Sequence, residues 1–84
     1  MSEIAYHRLR SLTGRELARA LLRDGFILVR QTGSHQRYTH LDGRRVTVPL
    51  TRTGQTFAIG TLKSILEIQA RWTMDDLRRL GILP

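Results

Sequence analysis

Cysteine is absent from this chain of 84 residues, and long apolar runs are absent as well. Without cysteine the chain can form neither disulfides nor thiolate zinc sites, and it has no thiol nucleophile. No stretch reaches the apolar length of a secretion signal or a membrane span. We therefore expect a single cytoplasmic domain over residues 1–84, with residues 1–11 as a loosely ordered lead-in and no membrane partner.

Acidic residues are also scarce, since seven stand against fourteen basic ones and the net charge is +7. Thirteen of the fourteen are arginine, and Lys63 is the only lysine. A cationic field favours a polyanion such as nucleic acid, an acidic protein or an anionic surface. Guanidinium groups bind phosphate and carboxylate through two parallel hydrogen bonds, which sharpens that preference.

Capping signals and hydrophobic periodicity predict an α+β chain: helix, three antiparallel strands, a long helix and a short one. Thr13 and Glu16 form a capping box at the start of the first helix, which runs to about Asp24. Thr61 is expected to cap the long helix and Thr73 the short one. The predicted strands cover residues 26–31, 35–40 and 44–48.

The turns between the strands decide which side chains share a face. A three-residue loop that ends on a left-handed Gly43 places Tyr38 opposite Val46, so that both face the helices. A matching three-residue turn over residues 32–34 adds Phe26 and Leu28 to that core face. The other face then carries a polar set: His35, Arg37, Thr39, Arg45 and Thr47.

His35, directly after a Gly-Ser turn, is the candidate for chemistry. The chain has no paired histidines at metal-ligand spacing, no glycine-rich phosphate loop and no Ser-His-acid arrangement. What remains is proton transfer by histidine on a cationic surface, and RNA suits this because its 2′-hydroxyl is a built-in nucleophile. From the residues alone, a structural or incidental histidine is the simpler interpretation. His40 is predicted to be structural and His7 incidental.

Four stretches occur together over roughly residues 12–70: Asp24-Gly25-Phe26, residues 31–38 (QTGSHQRY), residues 46–49 (VTVP) and residues 59–66 (IGTLKSIL). In this order and spacing they resemble the HicA family of bacterial toxins, small messenger-RNA endoribonucleases of toxin–antitoxin pairs. The resemblance implies an α-β-β-β-α fold like that of double-stranded-RNA-binding domains, here with a short extra C-terminal helix. It also implies RNA cleavage by His35 without metal or cofactor, and a HicB-like antitoxin that covers the site.

The candidate RNA contacts are Ser34, Arg37, Arg45, Arg52 and Lys63. Members of the family often have a histidine shortly after the Val-Pro pair, where this chain has Leu50-Thr51-Arg52. Any contribution of that second histidine is lost here or passes to Arg52. Two other functions stay open: a non-catalytic module that binds double-stranded RNA, and a subunit that binds an acidic protein.

Overall fold

The computed structural model describes residues 4–84 and contains one three-stranded antiparallel sheet, in the order β1-β2-β3. The elements are α1 (Gly14–Arg23), β1 (Ile27–Thr32), β2 (His35–Thr39), β3 (Arg45–Pro49), α2 (Ile59–Lys63), a π-helical continuation of α2 (Ser64–Gln69) and α3 (Met74–Arg79). This order confirms the predicted α+β fold, similar to a double-stranded-RNA-binding domain with a short extra C-terminal helix. Over the described residues, no helix combines the length and the apolar character that a membrane crossing requires.

The segment before α1 contains a 3-10 helix, Tyr6–Leu9, whose Leu9 is buried in the core. The Tyr6 hydroxyl donates a hydrogen bond to the carboxylate of Glu67. This segment belongs to the lead-in that the sequence predicts to be loosely ordered, of which residues 1–3 lie outside the described part. Ile4 and Tyr6 also pack against this core. The apolar residues of this segment follow neither a helical nor a strand period, so its packing could not be predicted from the sequence.

Two of the predicted helix starts are confirmed as capping boxes. At α1 the Thr13 hydroxyl accepts from the Glu16 amide, and the Glu16 carboxylate accepts from the Thr13 amide in return. Thr73 and Asp76 exchange the same pair of hydrogen bonds at α3. Each box satisfies two backbone amides that a helix leaves without an intrahelical partner.

The prediction that Thr61 caps the long helix is wrong. The helix begins two residues earlier, after Ala58, and its start has no side-chain cap. The Leu62 amide already donates to the Ala58 carbonyl at 3.0 Å, so Thr61 lies within the first turn rather than ahead of it. Its hydroxyl is therefore available to the surface of the helix.

The second hairpin has the predicted register. Gly43 has a φ of +97°, and the ladder pairs Tyr38 with Val46 and Gln36 with Val48. Tyr38, Val46 and Val48 are all buried, and burial raises the pKa of the Tyr38 hydroxyl. The left-handed glycine and the need to bury one face of the sheet therefore jointly determine the register of this hairpin.

The first hairpin differs from the prediction. Thr32 pairs with His35, so the turn has two residues rather than three, and the register then shifts between Leu28 and Arg30. This bulge inserts Val29 as an extra residue and restores the predicted pairing of Leu28 with Tyr38. The prediction that Leu28 joins the core is nevertheless wrong, because Leu28 stays 42% exposed on the edge strand β1. Because a bulge changes which face the following residues occupy, Arg30 lies opposite Arg37, on the face away from the helices.

The helices pack on one face of the sheet, where their apolar side chains join those of β2 and β3 in a single core. At the edge of this core the largely buried carboxylate of Asp24 accepts hydrogen bonds from Trp72 Nε1, Arg44 and Arg79. Trp72 is therefore a buried structural residue and not a platform for stacking bases. His40 is structural too, since its Nε2 lies 2.8 Å from the Asp24 carbonyl oxygen.

Candidate functional site

The face of the sheet away from the helices, called here the open face, presents its side chains in three rows across the strands. The first row joins Thr32, His35 and Pro49, the second joins Arg30, Arg37 and Thr47, and the third joins Ile27, Thr39 and Arg45. Successive rows lie about 7 Å apart, because each is two residues further along a strand. The predicted set of His35, Arg37, Thr39, Arg45 and Thr47 is therefore brought together on one face.

The positive charge of the open face is not neutralised by acidic side chains on its strands. The three strands contain no acidic residue. Within the described residues Arg30, Arg37 and Arg45 form no ion pair. Arg44 is a contrast, because it turns to the other side and is held by Asp24 at 3.1 Å. Exposed guanidinium groups with no internal partner are free to bind phosphate oxygens.

His35 lies at one end of this face, where the sheet meets the helix that starts at Ile59. Its imidazole is exposed, and within residues 4–84 it makes no hydrogen bond or ion pair. It lines an open cleft of about 400 Å³ together with Thr47, Pro49, Gly60, Thr61, Ser64, Ile65 and Gln69. The cleft therefore joins one imidazole to several hydroxyl groups and contains no acidic side chain.

The remaining predicted RNA contacts, Ser34, Arg52 and Lys63, are not among the residues that line this cleft. Ser34 occupies the β1–β2 turn next to His35, and its carbonyl accepts from the Leu50 amide at 2.5 Å. Arg52 is exposed in the loop between β3 and α2, and Lys63 is exposed on α2. Neither Arg52 nor Lys63 lines the cleft.

Sequence reasoning missed several residues of this surface. Arg30 was missed because it lies on the open face only as a result of the bulge at Val29, and no motif in the sequence predicts that bulge. Ser64 and Gln69 were missed because residues five apart do not share a face in a regular α-helix. No signal in the sequence indicated the π-helical segment that brings this pair together.

Metal ligands are not gathered at this surface. Across residues 4–84 there is no group of three His, Asp or Glu side chains that could hold a metal ion. His7 is exposed in the 3-10 helix before α1. It lies outside the set of side chains that lines the cleft.

Comparison with known proteins identifies the class of protein to which this surface belongs. The sequence model of a family described as the HicA toxin of bacterial toxin–antitoxin systems matches residues 14–72. The chain belongs to the HicA toxin family. The HicA match starts at the first residue of α1 and ends at Trp72, so it includes the sheet, His35 and the cleft, and leaves α3 outside. None of the curated proteins compared with this HicA-family chain matches it.

Proposed function

We propose that this protein is the toxin of a type II toxin–antitoxin system and acts as an endoribonuclease that cleaves messenger RNA without a metal ion. One observation carries the proposal: an exposed imidazole, that of His35, stands beside uncompensated arginines on strands that contain no acidic residue. Such a surface attracts the phosphates of RNA and offers them an imidazole, a side chain that can act as a general acid or base.

In the proposed reaction the RNA supplies its own nucleophile. His35 accepts the proton of a 2′-hydroxyl, and the 2′ oxygen attacks the adjacent phosphorus. The bond from phosphorus to the 5′ oxygen breaks, and that oxygen takes a proton from water. The hydroxide that remains takes the proton back from His35, which restores the neutral imidazole. The products are a 2′,3′-cyclic phosphate and a 5′-hydroxyl end, so no oxidant, metal or cofactor enters the balance.

Arginines of the open face hold the RNA in this proposal. Arg37 lies in the row next to His35, about 7 Å along the strand, and Arg45 lies one row further. Arg30, paired with Arg37 across the ladder, extends the cationic row to the edge strand. Ser34, Arg52 and Lys63 are proposed as peripheral contacts to the RNA backbone, since none of them lines the cleft.

A HicB-like antitoxin is the proposed protein partner. The open face has an excess of positive charge and no acidic group on its strands, so an acidic surface would complement it. Covering this face would hide both His35 and the arginines from RNA. Inhibition then requires no change in the fold of the toxin.

The test is to incubate the full-length protein with single-stranded RNA and with duplex RNA in the presence of excess chelator. Cleavage of single-stranded RNA into fragments with cyclic phosphate ends supports the proposal. A second candidate, a non-catalytic module that binds double-stranded RNA, is favoured by the shape of the fold. Selective retention of duplex RNA without cleavage would support that module. The absence of both results would point to a subunit that binds only an acidic protein.

A further inference from the structure

The hydrogen-bond partners of the Gln69 side chain determine which way its amide oxygen and nitrogen point. The backbone amide of Thr47, on the outer edge of β3, lies 2.7 Å from Gln69 Oε1. A backbone N–H can only donate, so the amide oxygen must face it. The amide nitrogen consequently faces the other way, where it donates to Ser64 Oγ at 2.9 Å. Gln69 therefore connects the edge of the sheet to the helix and also donates a hydrogen bond to the Ser64 hydroxyl.

The π-helical segment makes this contact possible. Ser64 and Gln69 are five residues apart, and in a regular α-helix they would point in clearly different directions. In this segment the hydrogen bonds also span five residues, as the Ala70 amide donates to the Ile65 carbonyl at 2.8 Å. Residues five apart then lie on the same face of the helix. Short π segments of this kind often occur at functional sites.

The hydroxyl proton of Ser64 is available to donate a hydrogen bond to a molecule bound in the cleft. Because Ser64 Oγ accepts from an amide N–H, its own proton must point elsewhere. Within the described residues this hydroxyl makes no other hydrogen bond. Ser64 is half-buried and lines the same cleft as His35 and Thr61. The cleft is therefore lined by an imidazole and by a hydroxyl whose proton has no acceptor within the described residues, and by no acidic side chain that would repel an anion.

We propose that this cleft binds the scissile phosphate of RNA, with Ser64 Oγ donating its proton in a hydrogen bond to a non-bridging oxygen. Gln69 is a positioning residue that fixes the direction of that hydroxyl. The inference rests on the proposed ribonuclease function and adds the binding site of the reacting group to it. A donor aimed at this oxygen stabilises the negative charge that grows on the phosphate as the 2′ oxygen attacks.

The first test compares Ser64→Ala with Ser64→Thr in cleavage of single-stranded RNA under chelator. We expect Ser64→Ala to lower kcat by at least about tenfold, with little change in KM, because the donor acts mainly in the transition state. Ser64→Thr retains the hydroxyl and should keep most of the rate. Thermal unfolding of each variant by circular dichroism serves as the control for folding.

The second test uses RNA with one phosphorothioate at the linkage that the wild-type protein cleaves, as separate diastereomers. Sulfur is a weaker hydrogen-bond acceptor than oxygen, so one diastereomer should react distinctly more slowly than the other with the wild-type protein. In Ser64→Ala this difference should shrink, since the donor that senses the replaced oxygen is gone. A variant that was merely less well folded would keep the difference.

The role of Gln69 is tested with Gln69→Glu. The introduced carboxylate can still accept from the Thr47 amide, but it cannot donate to Ser64 and accepts the serine proton instead. We expect cleavage to fall by at least about tenfold, with the same loss of the diastereomer difference.

The possible failures are distinguishable. If the wild-type protein does not cleave RNA, the proposed function itself is wrong. If the wild-type protein cleaves RNA while Ser64→Ala keeps both its rate and its diastereomer difference, only the phosphate site is overturned. If Gln69→Glu behaves like the wild-type protein, the positioning role is overturned.

Discussion

Replacing Asp24 with alanine is expected to destabilise the folded state by about 2–4 kcal/mol. The carboxylate, whose side chain is 9% exposed, accepts hydrogen bonds from Trp72 Nε1 at 2.8 Å, Arg79 at 2.8 Å and Arg44 at 3.1 Å. Alanine leaves the buried indole N–H without an acceptor and removes two charge-assisted hydrogen bonds. A domain of this size is stable by roughly 4–13 kcal/mol, so the melting temperature should fall by about 10–25 °C.

The measurement is urea unfolding followed by circular dichroism and by the fluorescence of Trp72, the only tryptophan in the chain. Asp75→Ala is the matched control, because Asp75 is almost fully exposed and pairs only with Arg78, at 3.5 Å. We expect the control to lose no more than about 1 kcal/mol. An Asp24→Ala variant as stable as the control would refute the structural role of this carboxylate.

The same carboxylate gives a prediction for pH. Burial alone would raise the pKa of Asp24, but the hydrogen bonds from Trp72, Arg79 and Arg44 outweigh it and lower the pKa below its usual 3.8. The unfolded chain therefore binds more protons, and the stability from this group is present above the unfolded pKa and lost as the pH falls through the folded one. We expect the urea concentration at the midpoint of unfolding to decrease as the pH is lowered below about 4. This decrease should be less steep in Asp24→Asn. Equal acid sensitivity in both proteins would contradict this.

Two further substitutions test packing and charge. A Cβ atom on Gly14 would lie 2.2 Å from Leu50 Cδ1, so Gly14→Ala should cost about 1–3 kcal/mol in thermal unfolding. Gly54→Ala, where nothing lies within 4 Å, should cost much less, and equal losses would refute the packing argument. Arg37→Ala should reduce the slope of log affinity for single-stranded RNA against log salt by about 0.7. Arg78→Ala, on α3, should leave that slope unchanged; equal slopes in both variants would remove Arg37 from the RNA surface.

The fold was predictable where local signals and burial agreed. At the second hairpin the left-handed Gly43 and the alternation of Tyr38 with polar neighbours supported a single register. At the first hairpin they did not agree. A two-residue turn alone would pair Leu28 with Thr39, and the bulge at Val29 pairs it with Tyr38 instead, although Leu28 stays 42% exposed. The residue pattern contains no signal for this bulge.

The candidate site was predictable where it depends on the strand register, and not where it depends on the bulge or on tertiary contacts. His35, Arg37 and Arg45 share the open face as the register required, whereas Arg30 joins them only because of the bulge. The cleft depends on where the helix after Ala58 crosses the edge of β3, which is a tertiary contact made by Gln69 and not a local preference. Strand parity can place a residue on a face, but it cannot say which helix lies beside that face.

The central claim is that His35 carries the chemistry, and its most direct test is the rate at which purified His35→Ala cleaves single-stranded RNA in chelator. His7→Ala is the matched control, because it removes another exposed imidazole that lies outside the cleft. We predict a loss of at least about 100-fold for His35→Ala and the wild-type rate for His7→Ala. All three proteins should melt at similar temperatures, because the His35 side chain makes no hydrogen bond within the described residues. Cleavage by His35→Ala at the wild-type rate would contradict the claim.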